Sequence, residues 1–296
     1  MNKITKAIIP AAGFGTRFLP ATKALPKEMF PIIDIPNIHY IVNEAVKAGI
    51  KDILIILNSQ KQIIQDYFSI NPKLDERLRK DEKIQIADDL LQISHLANIS
   101  YIIQDKPNGS GGAVLEAKKF ANGEDIAVLY GDDLIDYDEK SAVGELIEAY
   151  ENSNGATQLG CQYIPDDQLS LYGVVQPKDK CDSKSFEVTG FVEKPKKRNE
   201  APSNYASLGR YILPNAIFDI LEKCQPNKSG EILLTDAILE SMKTHPCYAC
   251  VFTGKRYDIG NKVGYIKALI DYSLKREDMR EEILSYLQDK MPNNDK

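Results

Sequence analysis

The chain has 296 residues, 43% of them hydrophobic, which is enough to bury a sizeable core in one large domain or a domain with appendages. Its formal net charge of −6 excludes the broad positive field that nucleic acid or an anionic membrane surface requires. Any anionic ligand must therefore be held by local Lys, Arg and backbone N–H groups. The start, MNKITKAIIPAAG, has its apolar run broken by Pro10, and no later stretch reaches membrane-spanning length, so the expectation is a cytoplasmic protein without nucleic-acid or membrane partners.

In chain order, Lys6 to Pro10 reads as a first strand, and Pro36 to Ala48 as a helix with Ile38, Ile41, Val42 and Ala45 on one face and Gly49 as its stop signal. Asp52 to Leu57 is a second buried strand, Gln60 to Phe68 a helix, and Ile99 to Gln104 a third strand. Between Asn71 and Asn98 the apolar residues fall at helical spacing among many charges, which predicts one or two surface helices with a solvated face. Ala113 to Phe120 reads as helical. Asp125 to Leu129 reads as a buried strand ending at Gly131, Asp132 and Asp133. Strand and crossover-helix units of this kind build an open, mainly parallel sheet, which binds ligands at the carboxyl ends of its strands.

After about Ala156 the pattern becomes strand-rich and predicts a second, mixed region laid beside the first sheet. Gly230 to Asp236 reads as a helix start with Thr235 and Asp236 as candidate caps. The amphipathic stretch from Asn261 to Met291 predicts C-terminal helices that cover core or form a subunit contact. Five cysteines are an odd number, and the C-x-x-C of Cys247 and Cys250 sits in the strand-like run CYACVF. That placement favours buried thiols over a zinc or redox site.

The run AIIPAAGFGTRFLPATKALPKEM carries the chemistry. A strand leads into a turn containing Gly13, Gly15, Thr16 and Arg17, where the backbone can approach a polyphosphate and point N–H groups at its oxygens. Arg17 and Lys27 supply neutralising charge. Taken alone the turn fits a tight strand-to-helix connection equally well. It is not a Walker A loop, and Phe18 in place of the third glycine disfavours a dinucleotide oxidoreductase.

The same run matches the G-x-G-T-R-x-x-P-x-T-K-x-x-P-K-E-M signature and resembles the bacterial UTP:glucose-1-phosphate uridylyltransferases. The resemblance extends over roughly residues 1–275 through GSGGAV with upstream Gln104, LYGDDL, YGVV, VEKP, SNYASLGRY, GEILLTDAI and RYDIGNKVGY, in the family's order. It implies an α/β fold, with a Rossmann-like, mainly parallel or mixed sheet flanked by helices. It also implies one catalytic domain over 1–275, divided into a nucleotide-binding part (about 1–150) and a sugar-binding part (about 151–260). C-terminal helices over 261–296, Mg2+ dependence and a homodimer or homotetramer complete the expectation.

Carried onto this chain, the resemblance places Ala11, Ala12 and Gly13 against uridine, with Gln104 and the Gly109 backbone at the uracil edge. Gly15, Thr16, Arg17 and Lys27 hold the triphosphate, and Glu28 orders that end of the loop. Asp132 and Asp258 are the metal carboxylates. Gly173, Glu193, Asn204 and Glu231 contact glucose hydroxyls, and Lys194 the sugar phosphate. The implied reaction is in-line attack of glucose 1-phosphate on the α-phosphorus of UTP, giving UDP-glucose and pyrophosphate, with Arg17, Lys27 and Lys194 as the catalytic cations. The rivals are a sister enzyme using dTTP, CTP or another sugar phosphate, and a silent sugar-nucleotide-binding subunit. The chain departs from the family in having Gly112 where histidine is common and Gly131 where proline is common.

Overall fold

The computed structural model describes residues 3–181 and 183–290; the first two residues of the basic start, and Met291 with the rest of the expected C-terminal segment, lie outside the described residues. The first half runs β1 (Lys6–Pro10), β2 (Pro31–Ile32), β3 (Ile35–Pro36), α1 (Asn37–Lys47), β4 (Asp52–Leu57), α2 (Gln62–Phe68), α3 (Pro72–Lys80), α4 (Ile84–Ser94) and β5 (Asn98–Ile103). It continues with α5 (Gly109–Glu116), α6 (Lys118–Ala121), β6 (Ile126–Leu129), β7 (Asp133–Asp136) and α7 (Ala142–Asn152). The second half is β8 (Thr157–Tyr163), β9 (Gly173–Pro177), β10 (Ser185–Glu193), β11 (Tyr205–Leu213), α8 (Ile217–Leu221) and α9 (Leu234–Ser241). It ends with β12 (Cys247–Val251), β13 (Lys255–Asp258), α10 (Lys262–Lys275) and α11 (Arg280–Lys290).

These strands do not form two neighbouring sheets. One nine-stranded sheet runs β5-β4-β1-β6-β11-β8-β12-β10-β9. The parallel ladders β5–β4–β1–β6 pass into the later strands through the antiparallel β6–β11 pair, which joins Ile126–Leu129 to Arg210–Leu213. The expected second region is thus a continuation of the first sheet. Its pairing partners are remote in sequence, and local composition carries no record of them.

Both faces of the sheet are covered, which explains why β1, β4 and β6 read as continuous apolar runs rather than alternating ones. Ile9 and Ile55 join Ile38, Ile41, Val42 and Ala45 of α1 and Leu146 of α7 on one face. Ile8 and Ile56 join Val114 of α5 and Leu234 of α9 on the other. A small β7–β13 ribbon lies off the main sheet, and Leu134, Tyr257, Ile259 and Ala268 form a separate core with Ile32.

Local details follow from capping chemistry. The Asn261 side chain accepts hydrogen bonds from the N–H groups of Val263 (2.8 Å) and Gly264 (3.3 Å), starting α10. The expected caps Thr235 and Asp236 do not start α9. Leu233 holds that position, and the Leu234 N–H donates instead to Ser110 Oγ at 3.1 Å, a hydroxyl supplied by α5. Cys247 and Cys250 are buried on β12, where burial raises the pKa of both thiols. Among the described residues no helix is long and apolar enough to cross a membrane.

Candidate active site

β1 lies between β4 and β6 at the centre of the parallel part of the sheet, so the chain after β1 and the chain after β6 leave on either side of the point where strand order reverses. The first exit is the glycine-rich turn; the second is Gly131–Asp133. A cavity of about 340 Å³ opens there, lined by Arg17, Asp132, Glu193, Lys194, Glu231 and Asp258 among others. A more open groove of about 790 Å³ adjoins it and shares Arg17, Lys194, Arg256 and Asp258.

The turn is fixed from several directions. Gly15 adopts φ 64°, a left-handed conformation that L side chains resist, and its carbonyl accepts from Thr22 Oγ1 at 2.9 Å. Thr16–Phe18 then forms a single 3-10 turn, and the Phe18 ring packs edge-on against Phe30 (4.9 Å) and Tyr265 (6.0 Å). The preceding residues Ala11 and Ala12 are buried, their carbonyls accepting from Lys61 Nζ (2.5 Å) and Asn58 Nδ2 (2.7 Å). Lys61 also pairs with the buried Glu28 at 2.7 Å. Glu28 therefore acts from beneath the loop: burial raises its pKa, against the pull of Lys61 and Lys27.

The carboxylates converge. A Cβ built on Gly260 would fall 2.8 Å from Asp132 Oδ2, 3.1 Å from Asp258 Oδ1 and 3.6 Å from Arg17 Nη1. The absent side chain thus leaves open a point that two acidic oxygens and a guanidinium all approach. Lys27 Nζ reaches Asp132 Oδ2 at 2.5 Å. Burial would push the Asp132 carboxyl up, but Lys27 and Arg256 outweigh it and hold its pKa below the usual value. Burial would likewise lower Lys27, yet Asp132 and Glu28 hold its pKa above the ordinary one.

Arg256 is the principal group the sequence reading missed. Its Nε donates to Asp133 Oδ1 at 2.6 Å, and its guanidinium lies 4.8 Å from the Tyr172 ring centroid. A usable signal existed, since Arg256 and Asp258 are two apart on one strand and so share a face. Lys61 was missed as well, because a lysine in a helical segment reads as surface charge.

On the other side of the cavity, Glu193 ends β10 and Lys194 follows with φ 46°, a conformation costing about 1–3 kcal/mol for a residue with a side chain. Its N–H donates to Tyr172 O at 3.1 Å. Lys194 Nζ lies 3.7 Å from Glu193 Oε1, and burial raises the Glu193 pKa. Gly173, at the start of β9, pairs with Glu193 and lines the same cavity, as do Gly109 and Glu231.

The sequence matches the nucleotidyl transferase family over residues 6–275. It is 45% identical over 288 residues to UTP--glucose-1-phosphate uridylyltransferase 2 of Staphylococcus saprophyticus, covering 97% of this chain and 98% of that one. The chain belongs to this uridylyltransferase family. In three dimensions it is similar to a UTP-bound UGPase from Acinetobacter baumannii (TM-score 0.89, 35% identity, 97% of this chain and 100% of that one). It is also similar to a UDP-glucose pyrophosphorylase complexed with UDP-glucose (TM-score 0.81, 36% identity, 92% and 100%).

Not every residue expected from the uridylyltransferase pattern meets at the cavity. The Asn204 amide donates to Ile164 O (3.0 Å) and Asp166 Oδ1 (2.7 Å), and its oxygen accepts from Arg198 (2.9 Å); the side chain is not among those lining the cavity. Gln104 lies just past the end of β5, its backbone N–H bonded to Leu57 O at 2.7 Å. Gly131 has room for a side chain, with nothing closer than 3.4 Å to an added Cβ. Gly112 has no such room.

Proposed function

We infer that the chain transfers a uridylyl group from UTP to glucose 1-phosphate, releasing pyrophosphate and forming UDP-glucose. The observation that carries this reading is the approach of Asp132, Asp258 and Arg17 to one point beside Gly260, in a cavity whose far wall holds Glu193 and Lys194. The names and bound ligands of the relatives supply the substrate classes.

Two hard carboxylate oxygens suit Mg2+, and among the described residues no group of three or more His, Cys, Asp or Glu is arranged to hold a metal alone. Asp132 and Asp258 are therefore suited to hold it together with substrate phosphate oxygens. Bound there, the ion would supply neutralisation of phosphate charge. The nucleophile is already an anion and needs no general base. The task left to the protein is bringing two anions together.

Arg17 and Lys27 are placed to offset charge on the departing pyrophosphate, and Lys194 to screen the incoming sugar phosphate. Arg256, engaged by Asp133, adds positive potential. Glu193 and Glu231 present acceptors for sugar hydroxyls. A homo-oligomer belongs to the same proposal, on the strength of the family resemblance. Pyrophosphate release from UTP and glucose 1-phosphate, measured across a panel of nucleotides and sugar phosphates with and without Mg2+, tests it. Strong, Mg2+-dependent turnover limited to this pair is expected; UDP-glucose binding without release would overturn the catalytic reading.

A further inference from the structure

Asn108 precedes α5, where an asparagine side chain ordinarily accepts a hydrogen bond from the second or third backbone N–H of the helix. Here it makes no such bond. It turns back over Gly112, and its Oδ1 accepts from Gln104 Nε2 at 2.9 Å. A Cβ at position 112 would overlap the Oδ1, Cγ and Nδ2 atoms of Asn108, so this arrangement exists only because residue 112 has no side chain. The helix start is served from elsewhere: Ile232 O accepts from the N–H groups of Gly111 (2.8 Å) and Gly112 (3.4 Å), and Ile232 N–H donates to Asn108 O (2.7 Å). Asn108 is thereby freed for a different task.

That task concerns the direction of an amide. The Gln104 backbone is tied to β4 through Leu57, which leaves the rotation of its terminal amide to be decided. An amide side chain presents a donor and an acceptor of nearly equal shape, and which one faces outward depends on its partners. With Nε2 donating to Asn108, Oε1 is the atom left to accept. Uracil offers a ring N–H at position 3, whereas cytosine presents a bare nitrogen acceptor there.

We propose that Asn108 is a positioning residue that holds the Gln104 carbonyl toward the base, and that Gly112 makes this possible, so the pair sets the preference for a pyrimidine with a ring N–H. The proposal rests on the reading of Gln104 as the uracil contact. It concerns UTP against CTP and makes no distinction between uracil and thymine, which share that N–H.

The test is the ratio of kcat/KM for UTP to that for CTP, with glucose 1-phosphate as acceptor, in the wild type and in Asn108→Ala, Asn108→Asp, Gly112→Ala and Gln104→Ala. Because both nucleotides are compared on the same protein, a general loss of folding cancels. Asn108→Ala and Gly112→Ala are expected to lower the ratio about tenfold, the scale of one hydrogen bond in a desolvated site. Asn108→Asp, which can only accept, retains it. A ratio unchanged in Asn108→Ala and Gly112→Ala but collapsed in Gln104→Ala would overturn the role of Asn108 while leaving the Gln104 contact standing. A ratio unchanged in all three would overturn the base contact itself, and the proposal with it.

Discussion

Arg17 and Lys194 reach one cavity from the glycine-rich turn and from the end of β10, and neither carries a core side chain's share of packing. In the proposed reaction, replacing either by alanine removes a cation whose interaction would strengthen as charge shifts between phosphates. Each is expected to lower kcat about 100-fold, corresponding to about 3 kcal/mol, with an unchanged thermal melt. Wild-type turnover in either variant would remove it from the mechanism. That both line one cavity could be anticipated from the sequence, because each sits inside a contiguous motif. Arg256 was harder to pick out, because its partner Asp133 lies 123 positions away and the one local signal is the strand face it shares with Asp258. Around Asn204 the motif was recognisable, but its amide partners Arg198 and Asp166 could not be read from it.

At the scale of elements, α10 follows directly on Asp258 and Gly260, so its start bears on both stability and catalysis. Asn261 accepts two N–H groups there; Asn261→Ala is expected to cost about 1 kcal/mol, read as a lower denaturation midpoint. A slower turnover should accompany it, because the cap also orders the segment carrying Asp258. Unchanged stability would mean that solvent caps the helix equally well. Element positions were largely readable from apolar runs: Lys6–Pro10 and Asp52–Leu57 were bounded by residue as observed. The start of α9 was not, since its first donor is met by Ser110 from a different helix, and sequence windows see only neighbours.

Across the whole molecule, Arg210 and Glu44 form a fully buried ion pair at 2.7 Å beneath the site. Arg210 also donates to the carbonyls of Asp133 (2.6 Å) and Gly209 (3.0 Å), and Glu44 accepts from the Val143 N–H at 3.1 Å. Arg210→Met leaves the buried Glu44 carboxyl without its cationic partner, and a loss of about 3–5 kcal/mol in unfolding free energy is expected. Acid adds a second test. Asp132 has a lowered folded pKa, so its contribution to stability is fully present above the ordinary carboxylate value and is lost as pH falls through the lower folded one. In Lys27→Met the burial that raises its pKa is opposed by fewer charges. The gap in melting temperature between wild type and Lys27→Met should therefore narrow as the pH falls through the ordinary carboxylate value toward the lower folded one. A constant gap would show that the lysine acts by packing alone.

The β6–β11 ladder, four residue pairs long, joins the strands that lead to Asp132 and those that lead to Lys194. The two sides of the cavity are thereby joined through one continuous sheet. A mutation that loosens this seam should therefore disturb affinity for both proposed substrates at once, whereas one confined to the turn after β1 or to the bend at Lys194 should disturb only one.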